Sequence, residues 1–214
     1  MRLYLIRHAE SQNNALPECQ RVEDPGITAL GYRQARHLAT RIRDLGLTKL
    51  FTSPFLRTLQ TTSPIYDTTK LTPNVRVALH EEGGCYSGHT PENMAGRPGM
   101  GRADIEREFP GFVVSTDMDD RGWWTSELHE SHDLARRRAA QLFQRTVDEF
   151  SGTDERVAFV MHADIKLLFL QQFHSERLLL PSNTSITAVE ITAGECSLED
   201  FNCVQHLPDE LITG

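Results

Sequence analysis

Short apolar runs, broken by polar turn-forming stretches, recur along the chain, and between them apolar positions fall at helical spacing. Leu3, Tyr4, Leu5 and Ile6 predict a short buried strand. Asp24, Pro25, Gly26, Ile27 and Thr28 form a turn-rich stretch. A helix follows, with Ala35, Leu38, Ala39, Ile42 and Leu45 on one face, Thr28 placed to cap it and Gly46 to end it. Residues 49–52 predict a second strand. Pro54 stands where a first helical residue is expected, and the next helix carries Phe55, Leu56, Leu59, Ile65 and Tyr66, with a stop or kink at Pro64. Residues 75–79 predict a third strand.

The texture changes over residues 83–130. Eight of the 14 glycines lie there, with Trp123, Trp124, Pro91, Pro98 and Pro110, and one helix is expected near 102–109. A long irregular insertion in a compact domain is usually functional, so this segment is expected to fold over a site. A long helix over 131–150 follows, its inner face carrying Ala135, Ala139, Leu142, Phe143 and Val147. Arg136, Arg137 and Arg138 read as its solvated face. Residues 157–161 predict a buried strand ending on His162. A helix over 164–173 comes next, with Asp164 placed to cap it. A hairpin of 186–191 and 198–205 turns across Ala193, Gly194 and Glu195.

Strands alternating with helices imply an α/β fold with a mostly parallel sheet covered on both faces; the terminal hairpin makes that sheet mixed. The 214 residues suit one domain, 1–214, with no linker interrupting it. No apolar run approaches the length that spans a bilayer. Met1 leads almost directly into a core strand, which argues against a secretory leader and for a cytoplasmic protein. Cys19, Cys85, Cys196 and Cys203 have no zinc-type spacing and read as free thiols, with Cys196 and Cys203 able to face each other across the late hairpin. The net charge of −8, from 30 acidic and 22 basic residues, disfavours nucleic acid as a partner. It leaves room for a local cationic pocket that takes a small anion.

Three chemically marked places in the chain share one kind of position. Arg7 and His8 close the first strand, Arg57 lies near the start of the helix after the second, and His162 closes the strand at 157–161. In a parallel sheet such positions lie at one edge, where ligands bind. Glu81, after the third predicted strand, can join them. This set suits phosphoryl transfer through a phosphohistidine. His8 attacks phosphorus, while Arg7, Arg57 and His162 hold the phosphoryl oxygens. Glu81 protonates the leaving alkoxide and then activates water. Glu82 competes with Glu81 as proton donor; Glu81 is preferred because Gly83 and Gly84 adjoin Glu82. No metal-ligand spacing is present, and no cofactor is expected.

The same residues resemble a known family. Arg7, His8, Ala9, Glu10 and Ser11, with Asn14 following, resemble the Arg-His-Gly-Glu signature of the histidine phosphatase (phosphoglycerate mutase-like) superfamily. Residues 24–28 with Gly31, Gln34 and Ala35 resemble its second block. Thr52 to Thr61, containing Ser53, Pro54, Arg57, Gln60 and Thr61, are similar to its Ser-Pro-x-x-Arg-x-x-Gln-Thr block. His80, Glu81 and His162 follow in the family's order. The combination is specific where single blocks are modest, and it covers the chain except 83–130. The resemblance implies a three-layer α/β/α fold and the roles just given, with Asn14 as an auxiliary phosphate contact. Ala9 departs from the usual Gly, and Ala163 and Asp164 depart from the usual small pair after the second His.

Three functions follow. The preferred one is a metal-independent phosphatase acting on a small phosphorylated substrate. A phosphoglycerate mutase needs a second cationic cluster, and the stretch after Glu81 is Gly-rich and acidic instead, with Asp117, Asp119 and Asp120. A non-catalytic phospho-ligand binding module has no need of both a nucleophile and an acid. Arg21, Arg97 and Arg102 are minor candidates for a second anion contact, as are His80 and His89 for the site. Trp123 and Trp124 either plug the insertion or wall the pocket. Glu10 reads as structural, and His37, His129, His132, His174 and His206 as surface residues. The pattern is compatible with a homodimer through an edge strand and gives no sign of a membrane partner.

Overall fold

The apolar runs form strands and the periodic segments form helices, in the order β1 (Arg2–Arg7), α1 (Gln12–Ala15), α2 (Ala29–Arg43), β2 (Lys49–Thr52), α3 (Leu56–Thr69), β3 (Pro73–Val75), β4 (Tyr86–Ser87), β5 (Ala95–Gly96), α4 (Arg102–Glu108), β6 (Val113–Val114), α5 (His132–Phe150), β7 (Arg156–Met161), α6 (Ala163–Leu170), β8 (Ile186–Thr192) and β9 (Glu195–Cys203). The computed structural model describes every residue except Pro91, Asp117, Ser126, Glu127 and Gly194. The expected turn residue Gly194, and Pro91 and Asp117 of the insertion, therefore lie outside the described residues.

Seven strands form one mixed sheet in the order β6-β3-β2-β7-β1-β8-β9. The first five run parallel, β8 is antiparallel to β1, and β9 is antiparallel to β8. Alternation along the two central strands builds both cores. Leu3, Leu5, Val157, Phe159 and Met161 face one side and pack on Ala135, Ala139 and Leu142 of α5 and Ile165 and Phe169 of α6. Tyr4, Ile6, Ala158 and Val160 face the other and pack on Leu38, Ala39 and Ile42 of α2 and Ile65 of α3. These are the three layers expected. Among the described residues, no helix is long and apolar enough to cross a membrane.

The register sets the site. Arg7 pairs with Met161 and Thr52 with Val160, so β1, β7 and β2 end side by side. His8, His162 and Ser53 emerge together at the carboxyl edge of the sheet.

Several expectations need correction. Pro54 does not open α3, which starts at Leu56 with Phe55 as its cap. Pro64 neither stops nor breaks α3. The hydroxyls of Thr61, Thr62 and Ser63 donate to carbonyls one turn back, and buried Leu59 and Ile65 hold the helix on both sides of it. The strand expected at 75–79 ends at Val75 and becomes a 3-10 turn, Val77–Leu79. Val75 and Leu79 pack in different cores, which a straight strand forbids because residues four apart share a face.

The 83–130 segment is only partly irregular. It contains the β4–β5 pair and α4, and its β6 extends the main sheet beside β3. Ile105, Phe109, Phe112, Val114, Met118 and Trp123 form a third core with Phe55, Leu59 and Val75. Cys196 and Cys203 do not face each other: both lie on β9, opposite Ile191 and Ile186, and both are free.

Candidate active site

His8 is 4 % exposed at the end of β1. Its amide donates to the Met161 carbonyl, and its own carbonyl accepts from the amide of Thr184 and the Nδ2 of Asn183. The ring is set by one contact. Nδ1 lies 2.7 Å from the Ala9 carbonyl, which can only accept, so Nδ1 carries the proton and Nε2 keeps its lone pair. Arg57 Nε sits 3.3 Å from that Nε2. Burial, then Arg57 and Arg7, hold the imidazole neutral, with a pKa well below the usual histidine value. Ala9 has no left-handed φ, so its methyl group brings no backbone strain; its amide donates to Thr61 Oγ1 at 3.0 Å.

Two buried guanidiniums flank the ring. Arg7 donates to the Pro181 carbonyl through Nη1, and its Nε has no hydrogen-bond partner among the described residues. Arg57 lies over the Phe55 ring, 3.9 Å from its centroid, with Nη1 3.9 Å from Asp24 Oδ1. Asp24 also accepts the Leu56 amide at 2.8 Å, capping α3 where it carries Arg57. Burial raises the Asp24 pKa to about 6 against the pull of Arg57.

Glu81 follows the 3-10 turn and reaches the start of α6. Its carboxylate accepts from the amides of Glu82 (2.9 Å), Ile165 (3.1 Å) and Asp164 (3.3 Å). Burial and the neighbouring Asp164 raise its pKa to about 7, against those amides and Arg57. Asp164 is thus not the cap of α6. His162 occupies the cap position, Glu81 takes the free amides, and the Asp164 carboxylate faces the cavity instead. Glu82 is held by His132 Nδ1 at 2.9 Å.

These groups line one polar cavity of about 390 Å³. Arg7, His8, Asn14, Arg57, Glu81 and Glu82 all lie on it. His162 does not. It is fully buried, edge-on to His8 at 5.1 Å between centroids, with Nε2 2.8 Å from Ser53 Oγ and Nδ1 unpartnered among the described residues.

The minor candidates divide. Arg21 and His89 line the cavity. Arg97 donates to Ser87, and Arg102 is tied to the carbonyls of Val114, Ser115 and Met118. His80 is buried beside Trp123 and Trp124 and 3.5 Å from Glu130. Neither Trp lines the cavity; Trp123 packs on Phe55 and anchors the insertion. Glu10 is structural, accepting from Thr28 Oγ1 at 2.7 Å. Arg138 is not solvated as expected: it pairs with Glu130 and donates to the carbonyls of Ala78 and His80. His37, His129 and His132 are exposed, whereas His174 and His206 are half-buried.

Sequence reasoning missed the polar run Asn183, Thr184, Ser185, which is fully buried against His8. Thr184 adopts φ 55°, strained for a β-branched residue. It missed Lys166 as well. That amine is fully buried near Ser185, and burial, with Arg7, pushes its pKa down to about 7. A polar run before a strand, or one Lys in an apolar helix, carries no local signal of burial.

A neutral imidazole whose unprotonated Nε2 faces Arg57, between two guanidiniums, suits a phosphoryl group, and a carboxyl group titrating near 7 can act as acid and then base. Among the described residues, no group of three or more His, Cys, Asp or Glu side chains could hold a metal ion.

Comparison with known proteins adds the following. The sequence profile of the histidine phosphatase superfamily (branch 1) matches residues 3–204. Similar curated proteins include probable phosphoglycerate mutases GpmB, 43 % identical over 67 residues in Enterobacter sp. (strain 638) and 40 % over 67 residues in Yersinia enterocolitica. Each match spans 31 % of this chain and 31 % of the relative's own length. Similar solved structures include Bacillus stearothermophilus YhfR, with TM-score 0.69 and 21 % identity over 96 % of this chain and 98 % of that one. The ecdysone phosphate phosphatase of Bombix mori has TM-score 0.69 and 16 % identity, over 94 % and 93 %. A phosphoserine phosphatase mutant from Entamoeba histolytica has TM-score 0.64 and 23 % identity, over 97 % and 99 %. At these identities the structures speak for the fold.

Proposed function

Since the chain belongs to the histidine phosphatase superfamily, we propose that it is a phosphomonoesterase that works through a phosphohistidine on His8 and draws on no metal ion. The observation that carries this reading is the His8 ring, its proton fixed on Nδ1 by the Ala9 carbonyl and its Nε2 lone pair beside Arg57.

His8 Nε2 attacks phosphorus as the bond to the leaving oxygen breaks, and Glu81 gives that oxygen its proton. Arg7 and Arg57 meet the phosphoryl oxygens, where charge must be held in the transition state. Glu81, now a carboxylate, takes a proton from water, whose oxygen attacks phosphorus. The N–P bond breaks, phosphate leaves, and both side chains return to their starting forms. Asn14 is an auxiliary contact from the cavity wall. His162 stays edge-on to His8 and donates to a phosphoryl oxygen once Ser53 is exchanged for substrate.

The names of the curated relatives favour a second reading, phosphoglycerate mutase-type transfer. A phosphoglycerate brings a carboxylate of its own, and the charged residues of the lining beyond Arg7 and Arg57 are mostly acidic.

The test is turnover of p-nitrophenyl phosphate between pH 5 and 8 in excess chelator. Wild type is expected to turn over, and His8→Ala to lose at least about a thousandfold. Equal activity in His8→Ala overturns the mechanism. Conversion of 3-phosphoglycerate to its isomer without phosphate release favours the mutase.

A further inference from the structure

We propose that the substrate's leaving alcohol carries a protonated amine, one or two carbons from the phosphoryl-bearing oxygen, which sits between Asp164 and Glu82. The inference rests on the phosphatase reading above.

The cavity has two chemically different ends. At its buried end Arg7 and Arg57 are 4 % and 9 % exposed, and Arg7 Nε has no hydrogen-bond partner among the described residues. That unpaired donor marks a site for an anion. The more open side is acidic. Among the described lining residues outside the phosphate-holding pair, Arg21 is the one guanidinium or ammonium against Glu18, Glu23, Glu82 and Asp164.

Position along the substrate narrows the placement. The leaving oxygen must meet Glu81, and Glu81 is bonded to the amides of Glu82 and Asp164. Glu82 and Asp164 line the same cavity as Glu81, so theirs are the carboxylates that a substituent just beyond that oxygen can meet. Among the described residues the exposed Asp164 carboxylate has no hydrogen-bond or ion-pair partner, and Glu82 has His132 at the protein surface. The two repel each other across the gap: burial and Glu82 raise the Asp164 pKa, with Arg7 and His132 opposing. An ammonium group placed there relieves the repulsion and gains two charge-assisted hydrogen bonds. A carboxylate placed there, as in a phosphoglycerate, makes a third negative charge beside Glu81.

The test compares three small esters of similar size: 2-aminoethyl phosphate, propyl phosphate and phosphoglycolate. Expected kcat/KM falls in that order, by about tenfold from the first to the second and about tenfold again to the third. Asp164→Asn with Glu82→Gln is expected to compress the whole range to within a few fold, and Asp164→Lys to reverse the order of amine and carboxylate. Binding of the same esters to His8→Ala protein, followed by calorimetry, reads the preference without turnover. Phosphoglycolate equal to or better than 2-aminoethyl phosphate in wild type overturns the inference, as does a range unchanged by the double substitution. If p-nitrophenyl phosphate is turned over through His8 while the amine gives no advantage, this inference fails and the phosphatase reading stands. If turnover survives His8→Ala, the mechanism fails, and the binding series still decides the charge preference.

Discussion

Glu81 sets the pH range in which the proposed chemistry runs. A surface carboxyl group is ionised at neutral pH and has no proton to give. Burial and Asp164 raise that of Glu81 to about 7, so half the molecules keep the proton there. The protonated fraction falls as pH rises through 7, and the rate should fall with it. The His8 limb lies below the usual histidine range, because burial, Arg57 and Arg7 all disfavour the imidazolium. With a poor leaving group such as an alkyl alcohol, activity is expected to be level below about pH 7 and to drop toward tenfold per pH unit above it. In kcat/KM, which stops at departure of the leaving group and so leaves out the later water step, Glu81→Gln should lose about a hundredfold or more on an alkyl phosphate and far less on p-nitrophenyl phosphate, whose leaving group needs no proton. Parallel pH–rate profiles on the two esters check this. Equal losses would remove Glu81 from the acid role. Asp164→Asn should move the alkaline limb to lower pH, since it removes one of the two leading causes of the shift.

At the scale of elements, the loop after β1 is fastened to the start of α2. Glu10 N donates to Gln34 Oε1 at 2.7 Å, Thr28 N donates to the Glu10 carbonyl at 2.9 Å, and Thr28 Oγ1 donates to Glu10 Oε1. The approach is close enough that only glycine fits at residue 31: a Cβ there would lie 2.3 Å from the Glu10 carbonyl oxygen, a backbone atom that cannot turn aside. Gly31→Ala is therefore expected to cost about 2–3 kcal/mol and to displace the loop two residues beyond His8. Denaturant unfolding and kcat on p-nitrophenyl phosphate check it; wild-type values for both would show that the loop yields freely. The Gly, Gln and Thr of this region were legible in the sequence as a block of the resemblance. Their physical purpose, holding the His8 loop against a helix, was not, because spacing along the chain does not report a 2.3 Å approach across it.

At the scale of the molecule, the 83–130 segment is tied to the sheet by β6 and by one buried clamp. Arg138 donates to both Glu130 oxygens, at 2.8 and 2.6 Å, and to the carbonyls of Ala78 and His80, just ahead of Glu81. Glu130 N in turn donates to the Gly83 carbonyl at 2.9 Å. The clamp thus holds the turn that presents Glu81. Burial alone would raise the Glu130 pKa, but Arg138 and His80 outweigh it and bring it to about 2. A depressed carboxyl pKa contributes stability above the unfolded value of 4.5, lost as pH falls from there toward 2. Arg138→Met strands a buried carboxylate and is expected to cost about 3–5 kcal/mol at pH 7, with a penalty that shrinks in acid. It should also lower kcat on alkyl phosphates. Unfolding at pH 7 and pH 3 checks the first part; a penalty independent of pH would mean the clamp is not ionic.

The sequence by itself determined the central strands, the long helices and the edge of the sheet at which the candidate site lies. Unbroken apolar runs in residues 3–6 and 157–161, which burial on both faces of a strand enforces, and helical spacing in 35–45 and 135–147 are local properties of the chain. His8, Arg57 and His162 were legible for the same reason, since each follows directly on a strand or opens the helix after one. Tertiary structure decided what depends on approach between distant segments. It set the proton on Nδ1 of His8, placed Glu81 rather than Asp164 on the amides of α6, and left His162 behind Ser53. It also buried Lys166, Asn183 and Thr184 beside the site and turned Arg138 inward. Each of these follows from desolvation and hydrogen-bond partners supplied by residues far away in the chain, and a pattern read along one strand or helix does not contain them.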